Sequence, residues 1–197
     1  MMTPFVKKAS SYFSMLLLTV ALTTFSACKN DDNDNTAPQL NTTDRQFMET
    51  AVRGNNAEIL TSRLALTRSQ DTEVRNFAQM MIDHHSTANR SLDSLARLRK
   101  VTLPDANQVD ADAQALLNQL NNLQDGSGTN GPTFSRAYML GQIQAHTKSK
   151  TEYQAYLNNS QAQDVGVRSY ASKTLPVVNS HLQMAQEIAN RKGYTRQ

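Results

Sequence analysis

The chain has 197 residues, 39% of them hydrophobic and 19% charged, with a formal net charge of +3 and one cysteine. That length supports one domain with a buried core, and a lone cysteine excludes an intrachain disulfide. The 20 basic residues are scattered among 17 acidic ones, and no phosphate loop or basic-and-aromatic motif appears, so nucleic acid is not an expected partner.

Lys7 and Lys8 precede an apolar run from Met15 to Leu22, and Phe25-Ser26-Ala27 leads into Cys28. A basic start, a short apolar stretch and small residues before a cut site describe a secretory signal. The run is too short, and too interrupted by threonine, for the roughly 20 residues that cross a bilayer. The order predicts a lipoprotein: residues 1–27 are removed, and Cys28 carries lipid as the mature N-terminus. The membrane is then a partner through that lipid, and the cell envelope is the expected location. Loss of Lys7 and Lys8 lowers the formal charge from +3 to +1, so the basic balance says little about partners. Residues 28–41, rich in Asn and Asp and containing Pro38, read as a polar tether. Their start, Lys29-Asn30-Asp31-Asp32-Asn33-Asp34, resembles the acidic sorting segments behind lipidated cysteines in surface lipoproteins, which points to the outer membrane.

Residues 42–192 read as one all-α domain, a four-helix bundle with an extra short helix. The first helix is expected from Asp44 to Ser69, opened by a Thr43–Gln46 capping box and weakened near Gly54-Asn55-Asn56. The second starts at an Asp71 cap and runs to Lys100. A long crossover follows, with a short helix from Val109 to Leu123 and a Gly-rich loop over residues 125–131. Pro132 and Thr133 open the third long helix, which ends near Asn159. Asp164 caps the fourth, which runs to Lys192, stops at Gly193, and is expected to kink or break at Pro176. Short connections within each half and one long crossover between them match the ferritin-like arrangement.

Apolar spacings of three and four mark one buried seam per long helix. The seams are Phe47, Ala51, Gly54, Glu58, Thr61, Ala65; then Val74, Ala78, Met81, His85, Ala88, Leu92, Leu95; then Met139, Ile143, His146, Lys150, Tyr153, Leu157; then Val167, Ala171, Thr174, Val178, His181, Ala185, Ile188. Each carries a coordinating type near its middle, roughly 21–26 Å from the helix start at 1.5 Å per residue. Glu58, His85, His146 and His181 are therefore expected at one level of the interior, with His84 as an alternative to His85 and with Asp83 and Tyr138 as neighbours. Four buried ionisable groups at one height must satisfy one another or hold a ligand. Three imidazoles and a carboxylate suit a transition metal such as zinc, copper or iron; a metal-free hydrogen-bonded network is the competing reading. Met80, Met81, Met139 and Met184 read as core packing rather than soft ligands.

Several chemistries are disfavoured. A di-iron carboxylate bundle needs Glu-x-x-His on two helices, whereas Val52, Thr61, Asn76, Ala155 and Asn190 stand three residues after Glu49, Glu58, Glu73, Glu152 and Glu187. No nucleophile elbow and no His-Glu-x-x-His helix occurs.

The stretches Asp44-Arg45-Gln46-Phe47 with Ala57-Glu58, Val74-Arg75-Asn76-Phe77-Ala78, Met81-Ile82-Asp83-His84-His85, Phe134-Ser135-Arg136-Ala137-Tyr138, His146, and Thr174-Leu175-Pro176 through His181-Leu182-Gln183-Met184-Ala185 carry a family resemblance. Over residues 42–190 the chain resembles an uncharacterised bacterial family of ferritin-like helical domains, labelled putative or predicted outer membrane proteins and regarded as a domain of unknown function. The resemblance implies that fold and an exported location, and supplies no reaction. Its pattern falls on Glu58, His85, His146 and His181. The chain departs from it at His84 and Ser135, where the family carries aspartate. Two functions follow as expectations: a non-enzymatic lipid-anchored envelope protein with a binding, sensing or protective role, or a metal-binding or redox bundle centred on those four residues.

Overall fold

The computed structural model describes residues 39–123 and 134–194; Cys28, most of the tether, the loop at 125–131 and Pro132-Thr133 fall outside them. Five helices follow one another: α1 Thr42–Arg68, α2 Thr72–Arg99, α3 Ala111–Asn121, α4 Phe134–Asn158 and α5 Val165–Arg191. No strand occurs among the described residues.

Side-chain caps set most boundaries. Asn41, rather than the expected Thr43–Gln46 box, opens α1 by accepting the Asp44 N–H at 2.9 Å; Thr43 is already inside the helix. Asp71, Asp110 and Asp164 cap α2, α3 and α5, each accepting a backbone N–H of the first turn. Lys100 ends α2 in the left-handed conformation at φ 52°, and the Val101 N–H returns to the Ala96 carbonyl at 3.0 Å.

Two expected weak points do not interrupt their helices. α1 runs through Gly54-Asn55-Asn56, because both asparagines are buried with partners for their carboxamides. α5 runs through Pro176. The proline still removes one backbone N–H, but it lies on the exposed side of the helix, where water can serve the carbonyl left behind.

The core divides into two apolar clusters. One holds Phe47 and Met48 of α1, Leu92 of α2, Tyr153 and Tyr156 of α4, and Val167 and Tyr170 of α5. The other holds Ala65, Val74, Phe77, Met81, Phe134, Tyr138, Met139, Ala185 and Ile188. The first cluster uses the start of α1 and α5 and the end of α2 and α4; the second uses the opposite ends. α1 and α5 therefore run one way and α2 and α4 the other, with a polar level between the clusters. Each fully buried large side chain contributes about 1.5–3 kcal/mol. Phe47 stacks on Tyr156 with centroids 3.9 Å apart, and buried Asp44 accepts the Tyr156 hydroxyl at 2.6 Å and the Asp164 N–H at 3.0 Å. These bonds tie the start of α1 to the α4–α5 turn.

α3 packs against α1 and α4. Gly141 allows its close approach to α4: a Cβ there would stand 2.7 Å from Leu116 Cδ2. Lys148 of α4 reaches Asp110 at 2.6 Å and Asp112 at 3.0 Å. On α4, Gln142 and Tyr156 are buried against Thr61, Phe47 and Asp44 of α1, while Ile143, Lys150 and Leu157 of the expected seam are only partly buried.

Candidate metal centre

Between the two apolar clusters, α2, α4 and α5 each contribute one buried histidine: His85, His146 and His181. One ring nitrogen from each lies within 4.8 Å of the others. The ring centroids are 5.3 to 5.7 Å apart. A cavity of about 40 Å³ touches all three together with Glu58 and His84, enough room for an ion or a water.

Each ring is held by one nitrogen and leaves the other facing the group. Nδ1 of His146 lies 2.9 Å from the Gln142 carbonyl oxygen, so it donates, and Nε2 keeps a lone pair 3.3 Å from Nδ1 of His181. Nδ1 of His85 lies 2.9 Å from Asn55 Oδ1, and its Nε2 is buried with no partner. Nε2 of His181 lies 2.8 Å from Nδ1 of His84. The inward-facing nitrogens are thus Nε2 of His85, Nε2 of His146 and Nδ1 of His181.

Burial disfavours the charged form of His85 and of His181. It pushes the His85 pKa well down, reinforced by the neighbouring imidazoles of His146, His181 and His84. His181 is pushed down to about 3, first by burial and then by His146 and His84. A cluster of neutral imidazoles inside a protein offers lone pairs rather than charge, which is what a metal ion takes.

Glu58 comes to the same level but to a different position. Its Oε1 stands 3.7 Å from Nδ1 of His146, the ring's outer nitrogen, and Glu58 is not one of the three residues whose donor atoms converge. Its Oε2 is buried without a partner. Burial raises its pKa against the opposing pull of His146 and the Gln142 side chain. Tyr138, one cluster away, bonds Ser62 at 2.8 Å rather than any histidine; burial raises its hydroxyl pKa well above the ordinary value. Asp83 is exposed and accepts from Gln79, so it takes no part. His84 does not replace His85; both serve, His84 from the exposed side as the partner of His181. Ser135 is buried against Ser69 at 2.7 Å, away from the histidines.

The model of the family described as "Domain of unknown function (DUF4142)" matches residues 29–188. The chain belongs to the DUF4142 family. No curated protein matches it. Among solved structures, this DUF4142 chain is similar to a crystal structure of a DUF305 fragment from Deinococcus radiodurans. The TM-score is 0.65 at 12% identity, covering 78% of this chain and 99% of that one. At that identity the likeness concerns the all-helical fold alone. Among the described residues of the DUF4142 chain, no helix is long and apolar enough to cross a membrane.

Sequence reasoning did not find Asn55, Asn89, Asn56 and Gln142, which hold the site from outside. Their signal was available. Asn55 lies one turn from both Ala51 and Glu58, and Asn89 one turn after His85, so both fall on buried faces where a carboxamide needs a partner.

Proposed function

We propose that this domain binds a transition-metal ion through Nε2 of His85, Nε2 of His146 and Nδ1 of His181. The observation that carries the reading is the convergence of three buried rings from three helices, each held at its outer nitrogen: the inner nitrogens of His146 and His181 face each other at 3.3 Å, and that of His85 has no partner. Orientation of ligating imidazoles by a partner on the other nitrogen is the usual companion of metal binding. The spacing fits as well. Two nitrogens each about 2.0–2.1 Å from a tetrahedral ion stand roughly 3.3–3.4 Å apart, and His146 and His181 are at 3.3 Å. His85 closes onto the ion by a small ring movement, and its Nε2 gains the partner it lacks. Glu58 stands on the outer side of His146, 3.7 Å from its Nδ1. The fourth position is left for water or an added ligand.

Imidazole donors suit zinc, copper and iron. Di-iron oxidase chemistry is disfavoured by the lack of a Glu-x-x-His pair on any helix. The test is titration of the chelator-treated protein with cobalt(II). One equivalent should give the strong visible bands of four-coordinate cobalt. His85→Ala, His146→Ala and His181→Ala should lose those bands, and Asp83→Ala should keep them. Failure of wild type to bind cobalt, zinc or copper would sink the reading.

Antiparallel α1–α2 and α4–α5 pairs, joined by a long crossover that leaves α2 and α4 parallel, support a ferritin-like four-helix bundle over residues 42–192. The signal pattern supports a lipid on Cys28 and a polar tether holding that bundle at the outer membrane, in a non-enzymatic binding, sensing or protective role. Mass analysis of the N-terminal peptide from the membrane fraction tests the anchor; an unmodified Cys28 in soluble periplasmic protein would refute it.

A further inference from the structure

We infer that a ladder of three asparagines, Asn55, Asn89 and Asn56, fixes which nitrogen of His85 is presented to the metal centre and ties that choice to the α2–α3 connection.

The orientation of every carboxamide follows from the end of the ladder. Asn56 Nδ2 lies 2.8 Å from the Asp105 carbonyl oxygen and 3.0 Å from that of Gln108. Backbone carbonyls only accept, so this atom is an NH2 group giving both its protons to the connection after α2. Asn56 Oδ1 is then the acceptor for Asn89 Nδ2 at 3.0 Å. Asn89 Oδ1 in turn accepts from Asn55 Nδ2 at 2.9 Å. Only Asn55 Oδ1 is left to face His85 Nδ1, also at 2.9 Å. An oxygen there demands a proton on Nδ1, so the neutral ring carries its lone pair on Nε2. That is the buried nitrogen without a partner. Reversing any one carboxamide would set like against like: oxygen against oxygen or NH2 against NH2 along the ladder, and for Asn56 oxygen against the two backbone carbonyls.

The ladder also explains two buried polar residues in the middle of α1. Asn55 is 5% exposed and Asn56 2%, in a helix that would be more stable with apolar residues facing the core. Their bonds give the sequence two things an apolar pair lacks: a defined tautomer at His85, and a register between α1, α2 and the connection leading to α3. Neither asparagine touches the metal, so both are positioning residues.

This inference rests on the metal reading for its purpose, but its physical content is testable without metal. Side-chain nitrogen spectra of 15N-histidine-labelled, metal-free protein report the tautomer directly. Wild type should show His85 protonated at Nδ1. Asn55→Ala should populate the Nε2–H form and weaken zinc binding about 10–100-fold. Asn56→Ala, two links from the ring, should shift the tautomer in the same direction by a smaller amount. Asn55→Asp keeps an oxygen acceptor and should keep both the Nδ1–H tautomer and zinc affinity within a few-fold. A wild-type ring protonated at Nε2 would overturn the ladder, as would an unchanged tautomer in both Asn55→Ala and Asn56→Ala. Should Asn55→Ala fail to fold, wild type, Asn55→Asp and Asn56→Ala still decide the matter. Absence of zinc binding by wild type with the tautomer as stated would defeat the metal reading alone.

Discussion

Glu58→Gln should make the metal-free protein more stable, with a gain that depends on pH. The side chain is buried and one of its oxygens has no partner. Its folded pKa stands above the ordinary 4.5, chiefly through burial. Below pH 4.5 the carboxyl is protonated in both states, and the substitution changes little. As pH rises above 4.5, the unfolded chain releases the proton readily while the folded chain holds it or carries a poorly solvated charge. Stability contributed by the protonated form is therefore lost with rising pH, and a carboxamide of equal volume escapes that loss. Leaving a buried polar group unsatisfied costs about 1–3 kcal/mol, more when it is charged. At 2–4 °C per kcal/mol for a domain of this size, the melting temperature should rise by roughly 2–12 °C at pH 8. Thermal unfolding of the chelated wild type and variant at pH 4.5, 6 and 8 measures the effect. A variant less stable than wild type at pH 8, or one offset by the same amount at all three pH values, would refute the reasoning. A buried carboxylate that costs stability where it stands fits a site shaped for a ligand.

The neutral histidines make the opposite contribution. His85 and His181 have depressed folded pKa values, so the unfolded chain binds protons below about pH 6.5 while the folded one does not; metal-free stability should fall as pH drops from 6.5 toward 3, and the denaturant midpoint of His181→Gln should fall less steeply over that range. Bound metal should protect the fold: zinc at about 100 times its dissociation constant should add roughly 2.7 kcal/mol to the unfolding free energy. His85→Ala at the same zinc concentration should show a much smaller gain, and an equal gain in both proteins would place the ion elsewhere.

The long helices were legible in the sequence through their apolar periodicity, and two of them through their caps as well. Asp71 and Asp164 sit directly before apolar periodicity and cap as expected; Asp110, inside the expected Val109–Leu123 segment, caps the short α3 instead. The level of the histidines was legible because angle along a seam and distance along a helix are both local quantities. What escaped depended on contacts between distant segments. On α4 the buried face includes Gln142 and Tyr156, which meet Thr61 and Asp44 of α1, 81 and 112 residues away. Glu58 reached the right height, but only the packed structure shows it beside the outer nitrogen of His146. Asn55 and Asn56 follow Gly54 and read as a weak spot in a helix; their value lies in bonds to Asn89, Asp105 and Gln108, 33 to 52 residues away. His84 was one of the two departures from the family pattern, and it meets the outer nitrogen of His181. An imidazole can serve there as an aspartate would, by bonding the ring it faces.

The most direct measurement is an anomalous-scattering map from a crystal of the domain grown with zinc, with data collected on both sides of the zinc absorption edge. The account predicts one strong peak in the cavity among α2, α4 and α5, about 2.0–2.1 Å from Nε2 of His85, Nε2 of His146 and Nδ1 of His181, with Glu58 remaining on the far side of the His146 ring. No peak there, at a zinc concentration that saturates binding in solution, or a peak held by surface carboxylates instead, would contradict it.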